Sequence, residues 1–152
     1  MIDVLYLLPE DNEVSGFTGK GSPDIMTDEG SIFDAINGAA NVYIERGFVE
    51  GIRKNYSNGS VEIEVRIFNQ GKNSNAGSLY DYMVQQEGSG EMVVDEGEQK
   101  RIFVSQSGFQ YNFHGYCRTV YIGIVTFEKN DFILNIGKQF CFNIFSKIDS
   151  EE

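Results

Sequence analysis

Tryptophan is absent from this chain of 152 residues, histidine occurs once, and proline and cysteine occur only twice each. The lone His114 rules out a multi-histidine metal site, and any Ser-His-Asp or Cys-His pair would have to use that one residue. Cys117 and Cys141 form neither a CxxC pair nor a zinc spacing. Two unpatterned cysteines read as buried free thiols. A bridge between them would instead add on the order of 3 kcal/mol in an oxidising compartment. The chain also lacks a long apolar run. Val4–Leu8 is stopped by Pro9, lacks a basic flank and is too short for a signal-peptide core. Nothing approaches the roughly 20 apolar residues of a transmembrane helix. Basic residues are in short supply too, 12 against 23 acidic, for a formal net charge of −11. Phosphate-backbone binding needs clustered Lys and Arg, so nucleic acid is excluded as a partner, and so is a basic membrane-surface helix.

What the chain has is a globular composition, 41% hydrophobic and 23% charged, with 12 Phe and 8 Tyr to fill a core. Its length suits one domain. Residues 1–30 read as an irregular lead-in arm, because Gly16, Gly19, Gly21 and Pro23 break every period; Val14 and Phe17 are its expected contacts with the body. Residues 31–148 read as the domain and 149–152 as a frayed tail.

Ser31–Gly47 has helical periodicity. Ser31 is the expected N-cap, with Asp34 three residues on. Ile32, Ile36, Ala39 and Tyr43 share the apolar face; Asp34, Gly38, Asn41 and Glu45 lie opposite, with Asn37 at the border. A glycine inside a helix costs about 1 kcal/mol relative to alanine, so Gly38 predicts a close crossing by another segment. Asn is a poor mid-helix residue, so Asn37 is expected to anchor a loop or to contact a ligand.

Phe48–Tyr56 reads as a strand, and Ser57-Asn58-Gly59-Ser60 as a hairpin turn. In the returning strand Val61, Ile63, Val65 and Ile67 face one way; Glu62, Glu64 and Arg66 face the other. A second helix is expected over Asn75–Gln86, capped by Asn73 or Ser74, with Ala76, Leu79, Tyr80 and Met83 inward. Met92–Val94 is an expected edge strand, Asp95–Glu98 an acidic turn, and Arg101–Ser105 a strand. Phe109, Tyr111 and Phe113 then alternate with Gln110, Asn112 and His114, and Gly115 is placed in a tight connection. Thr119–Phe127 is apolar on both faces and so central. Asp131 is the expected cap of a final helix over Phe132–Lys147. With no parallel strand–helix–strand unit, the pattern predicts an α+β single domain, an antiparallel sheet of about five to six strands packed with three helices.

Leu8-Pro9-Glu10, the run Phe33-Asp34-Ala35-Ile36-Asn37-Gly38-Ala39-Ala40, Tyr43, Gly47-Phe48, the strand Val61–Phe68 and Asn75-Ala76-Gly77-Ser78-Leu79-Tyr80 together resemble a bacterial exported-protein family of unknown function. Its mark is an F-D/E-x-I-N-G-A-A helix motif. The chain departs from that pattern by lacking a tryptophan near His114. The resemblance implies a soluble, extracytoplasmic (periplasmic or cell-surface) domain and no known activity.

No catalytic set, metal site or cofactor site is legible. Gly19-Lys20-Gly21-Ser22 lacks the spacing and preceding strand of a phosphate loop. The candidate ligand-binding residues are Asn37, Asp34 and Asn41 on the polar face of the first helix. His114 reads as a surface or turn residue. The leading expectation is a non-enzymatic exported module that binds an unspecified small molecule or protein; the alternative is a hydrolase with a site near Asp34 or His114.

Overall fold

A computed structural model describes residues 3–151; residues 1, 2 and 152, parts of the expected lead-in and tail, lie outside the described residues. Seven strands form one antiparallel sheet in the order β1-β2-β3-β7-β6-β5-β4. They are β1 (Thr18–Met26), β2 (Glu50–Ser57), β3 (Glu62–Asn69), β4 (Glu91–Asp95), β5 (Lys100–Ser107), β6 (Gln110–Cys117) and β7 (Val120–Thr126). The α+β class and the antiparallel sheet agree with the sequence pattern, while, among the described residues, seven strands exceed the expected five to six and five α-helices the expected three, because the lead-in adds a short helix and a strand and the first helix is split in two. The Asn58-Gly59 hairpin joins β2 to β3 as expected, and β7 is the middle strand of the seven.

The sheet is covered on both faces. On one, α1 (Val4–Leu7) and α5 (Asp131–Ser150) pack with Val14 and Phe17 against Ile52, Ile63, Val65, Ile67, Ile122 and Ile124. On the other lie α2 (Glu29–Ile36), α3 (Ala40–Ile44) and α4 (Asn73–Glu87), burying Ile32, Ala40, Tyr43, Ala76, Leu79 and Tyr80 against Phe68, Tyr116 and Tyr121. Cys117 and Cys141 are both buried free thiols on the α5 face. Burial pushes the Cys117 thiol up to about 12, with the nearby Asp149 carboxylate adding to the shift. Neither is a reactive thiolate near neutral pH.

Several local expectations are corrected. The lead-in is not irregular throughout, because Thr18–Met26 pairs with β2 as an edge strand. Backbone bonding to β2, interrupted by a register shift between Lys20 and Asp24, does what its Gly- and Pro-containing sequence gives no periodic hint of. The first helix is capped by Asp28, not Ser31; Ser31 occupies the third helical position and completes a reciprocal capping box. The tail is helical to Ser150, and Asn130, not Asp131, caps α5 through the Ile133 amide. Lys72, not Asn73 or Ser74, stands at the N-cap of α4 and supplies no side-chain cap. Gly115 lies inside β6, opposite Ile102 and Ile122, where an added Cβ would press on the Arg101 carbonyl at 3.0 Å.

The expected helix over 31–47 is also broken. Asn37 has φ 53° and ψ −131°, and residues Asn37–Ala39 form a 3-10 turn between α2 and α3. An added Cβ on Gly38 would meet nothing within 4 Å, so no segment crosses there. The run Asn37-Gly38-Ala39 is a kink, and only Ala40 after it packs into the core. The strain of the kink sits in Asn37, whose backbone is outside the left-handed basin that Asn tolerates. Asn37→Gly is expected to raise the unfolding free energy by about 1 kcal/mol, read as a shift of the urea midpoint at unchanged slope.

Candidate functional site

The side chains of Asp34, Asn37 and Asn41 are exposed and make no hydrogen bond among the described residues. The anchoring role expected of Asn37 is therefore not seen, and the polar chemistry lies on the other side of α4's packing surface, in the sheet.

Strand register places two polar rows on the face covered by α2–α4. One runs Asp24, Arg53, Arg66, Gly123, His114; the other runs Asn55, Glu64, Val125, Asn112, Ser105. The alternation of Glu62, Glu64 and Arg66 in β3, and of Gln110, Asn112 and His114 in β6, is thus two views of one surface, joined through β7. The helices cover the apolar end of this face, and the two rows grade from exposed Asp24 and Asn55 to buried Ser105.

His114 is not a turn residue. It sits within β6 under the last residue of α4: its Nε2 lies 3.1 Å from Glu87 Oε1 and its Nδ1 2.7 Å from the Tyr121 hydroxyl. The Ser105 hydroxyl donates to Glu87 Oε2, and the Asn112 amide approaches the same oxygen at 3.5 Å. With a neutral imidazole every role is filled: Nε2–H donates to the carboxylate, and Nδ1 accepts the Tyr121 proton. Burial pulls the His114 pKa below its ordinary value, and the hydrogen bond and charge of Glu87 only partly restore it. Tyr121 is buried, and desolvation lifts its phenol well above the usual range. Across Gly123, the Arg66 guanidinium is held by Glu64 at 2.8 Å and faces the Tyr43 phenol.

This cluster is a closed network. The Ser105 hydroxyl faces a carboxylate whose other oxygen His114 engages, and at 2% exposure it is shut off from solvent; both nitrogens of His114 are committed; and Asp34 does not share the cluster. It does not have the arrangement of a nucleophile, a base and an orienting group in series.

Since His114 is the sole histidine, it is the one side chain with an ordinary pKa between the carboxylates and the thiols, near 6.5. Its folded pKa is depressed, so the unfolded chain binds the proton more readily. Its contribution to stability is complete above about pH 6.5 and is lost as the pH falls from there toward the folded pKa. Urea midpoints measured from pH 7.5 to 5 are expected to fall for the native chain and to stay flatter for His114→Gln.

A groove of about 700 Å³, partly open to solvent, lies beside α4. Asn73, Ser74, Gly77, Ser78 and Asp81 line it from α4, at the spacing of one helical face. Glu98 in the β4–β5 turn, Arg101 of β5 and Tyr116 of β6 form the opposite wall. Asn73 Nδ2 reaches the Glu98 carbonyl at 3.4 Å and closes one end. Arg101 Nε is 3.3 Å from Asp95 Oδ1 yet makes no hydrogen bond. The Tyr80 ring lies tilted at 54° against that of Tyr116, 5.2 Å between centroids; burial lifts the Tyr80 phenol to about 12 and raises that of Tyr116 as well.

Gly77 is the informative residue. It is inside α4, where glycine is costly, yet an added Cβ would meet only the Tyr116 ring, at 3.5–3.6 Å, an ordinary contact. Packing does not require glycine here; what its absent side chain does is keep the groove open. Gly77→Ala is expected to stabilise the fold by up to about 1 kcal/mol, measured by thermal or urea unfolding, while narrowing the groove.

Sequence reasoning named His114 but none of its partners, and missed the α4 groove. Glu87 is the last helical residue before Gly88-Ser89-Gly90, and nothing local marks it as the partner of His114. The spacing of Asn73, Ser74, Gly77, Ser78 and Asp81 is a legible signal: a helical face built from small polar residues.

No cluster of three or more His, Cys, Asp or Glu side chains fit for a metal occurs among the described residues, and no described helix is long and apolar enough to cross a membrane. No family model matches the chain, and no curated protein matches it. Among solved structures the chain is similar to the extracellular domain of PknH from Mycobacterium tuberculosis, with a TM-score of 0.63 and 12% identity over 97% of this chain and 95% of that one. At that identity the likeness is one of fold.

Proposed function

We propose that the chain is an exported, non-catalytic binding module whose ligand occupies the groove beside α4. The observation that carries the reading is the groove itself. Its volume falls in the range of about 300–1,000 Å³ found for small-ligand clefts, and its polar groups converge from a helix, a turn and two strands. Export is supported by the resemblance carried by Phe33–Ala40 and by a fold shared with an extracellular domain. The surplus of acidic residues keeps such a module apart from polyanions.

The competing hydrolase reading requires a titratable group free to exchange protons with a substrate. His114 is the only imidazole, and it is tied on both sides. Turnover of chromogenic ester, phosphate-ester and glycoside substrates is the test. No turnover above background is expected. Turnover that disappears in His114→Gln or Glu87→Gln would establish the hydrolase instead.

A further inference from the structure

Resting on the reading of the α4 groove as a binding site, we propose that its ligand is a neutral saccharide, a short chain of sugar units bearing free vicinal hydroxyls. The lining decides among ligand classes. An anion meets one cation, Arg101, which already has Asp95 beside it, and two facing carboxylates, Asp81 and Glu98. A cation meets those carboxylates but shares the space with the Arg101 guanidinium. An apolar ligand would strip water from hydroxyls, an amide and charges on both walls without replacing their hydrogen bonds, which costs more than its own burial returns. A polyhydroxylated ligand is the one that uses every group present.

The match is chemical in detail. Sugar hydroxyls both donate and accept. Asp81 and Glu98 accept from them, Arg101 donates to them, and the Asn73 amide and the Ser78 hydroxyl do both. Carboxylate, amide and guanidinium are planar groups with two polar atoms side by side, so each can take two adjacent hydroxyls at once. Arg101 Nε, buried and without a hydrogen bond, is the donor with most to gain. Tyr116, 4% exposed, offers the margin of its ring to the C–H surface of a sugar, and Gly77, whose Cβ would lie 3.5–3.6 Å from Tyr116, has no side chain to obstruct that margin. The groove is closed at the end where Asn73 meets Glu98 and open to solvent elsewhere, which lets a short chain enter with one end seated.

The test is calorimetric titration of the full chain with maltotriose, cellotriose, mannotriose and chitotriose, and in parallel with spermidine and inorganic phosphate. At least one trisaccharide is expected to bind. Asp81→Ala and Ser78→Ala, both at exposed positions of α4, should each weaken it about tenfold or more, and Gly77→Leu should abolish it. Asp34→Ala, at an exposed position outside the groove lining, should leave it unchanged. Circular dichroism checks that Gly77→Leu is folded, and the two alanine variants decide the matter if it is not. Failure of all four trisaccharides overturns the saccharide assignment. Binding of spermidine or phosphate that Asp81→Ala or Arg101→Ala removes overturns the ligand class and leaves the groove as a site. Trisaccharide binding indifferent to all the groove variants overturns the groove reading itself.

Discussion

A Phe140→Ala variant is expected to lose about 3–5 kcal/mol of unfolding free energy. Phe140 is fully buried on α5, with its ring edge-on to Phe17 at 5.7 Å and tilted against Tyr56 at 5.2 Å. It is the point at which the last helix, the lead-in and the β2 strand meet. Truncation leaves a cavity that none of the three can close, because Tyr56 is fixed at its other end by a 2.6 Å hydrogen bond from its hydroxyl to the Pro9 carbonyl. A loss of that size is a large share of the about 5–15 kcal/mol typical of a domain. Phe142, two residues on and 46% exposed, is the internal control: Phe142→Ala should stay within about 0.5 kcal/mol of the native chain. Urea unfolding of both, at equal slope, measures the difference.

The second large effect is expected from Glu87→Ala, a loss of about 2–3 kcal/mol. Removing this carboxylate strands three partners at once: the His114 Nε2–H, the Ser105 hydroxyl and the Asn112 amide. Ser105 is 2% exposed, so water does not replace the lost acceptor without rearrangement. The variant also removes the charge that favours protonated His114, while the burial that opposes protonation remains. The pH dependence between 7.5 and 5 should therefore persist or steepen. Glu87→Gln keeps an acceptor oxygen and should recover part of the stability. Parallel unfolding curves at two pH values separate the two contributions; if Glu87→Ala unfolded at the native urea concentration, the network would have no role in stability.

Much of the architecture was legible because it rests on local chemistry. Asn58-Gly59 dictates a tight hairpin, Ile63, Val65 and Ile67 alternate in a way only a half-buried strand explains, and Val120–Thr126 is apolar on both faces because it is the middle strand. The failures have physical causes of the same definiteness. Strand β1 carries no period, since its pairing is by backbone. Asn37 breaks a helix whose side-chain pattern continues across the break, because periodicity reports the faces of a segment and not its φ angles. His114 was read as peripheral because Gly115 follows it, yet that glycine is needed where the Arg101 carbonyl comes close. The polar faces of β3 and β6 could each be read from the sequence. That they are the same surface depends on β7 lying between them, and that is topology. The α4 groove was hidden for a related reason: one wall is a helical face, but the other is assembled from a turn and two strands.

The strand order has a kinetic consequence. Strands β1-β2-β3 form one meander and β4-β5-β6-β7 another, each joined between neighbours in sequence; the seam between β3 and β7 is the pairing that closes the sheet. Meanders form from near contacts, whereas the seam must bring together residues such as Val65 and Ile124 across the intervening helix and three strands. Until it closes, Val120–Thr126 is an apolar strand with a bare edge, the most adhesive segment the chain possesses. Refolding should therefore be a race between two encounters with that edge, one by β3 of the same chain and one by another molecule, and dilution favours the first.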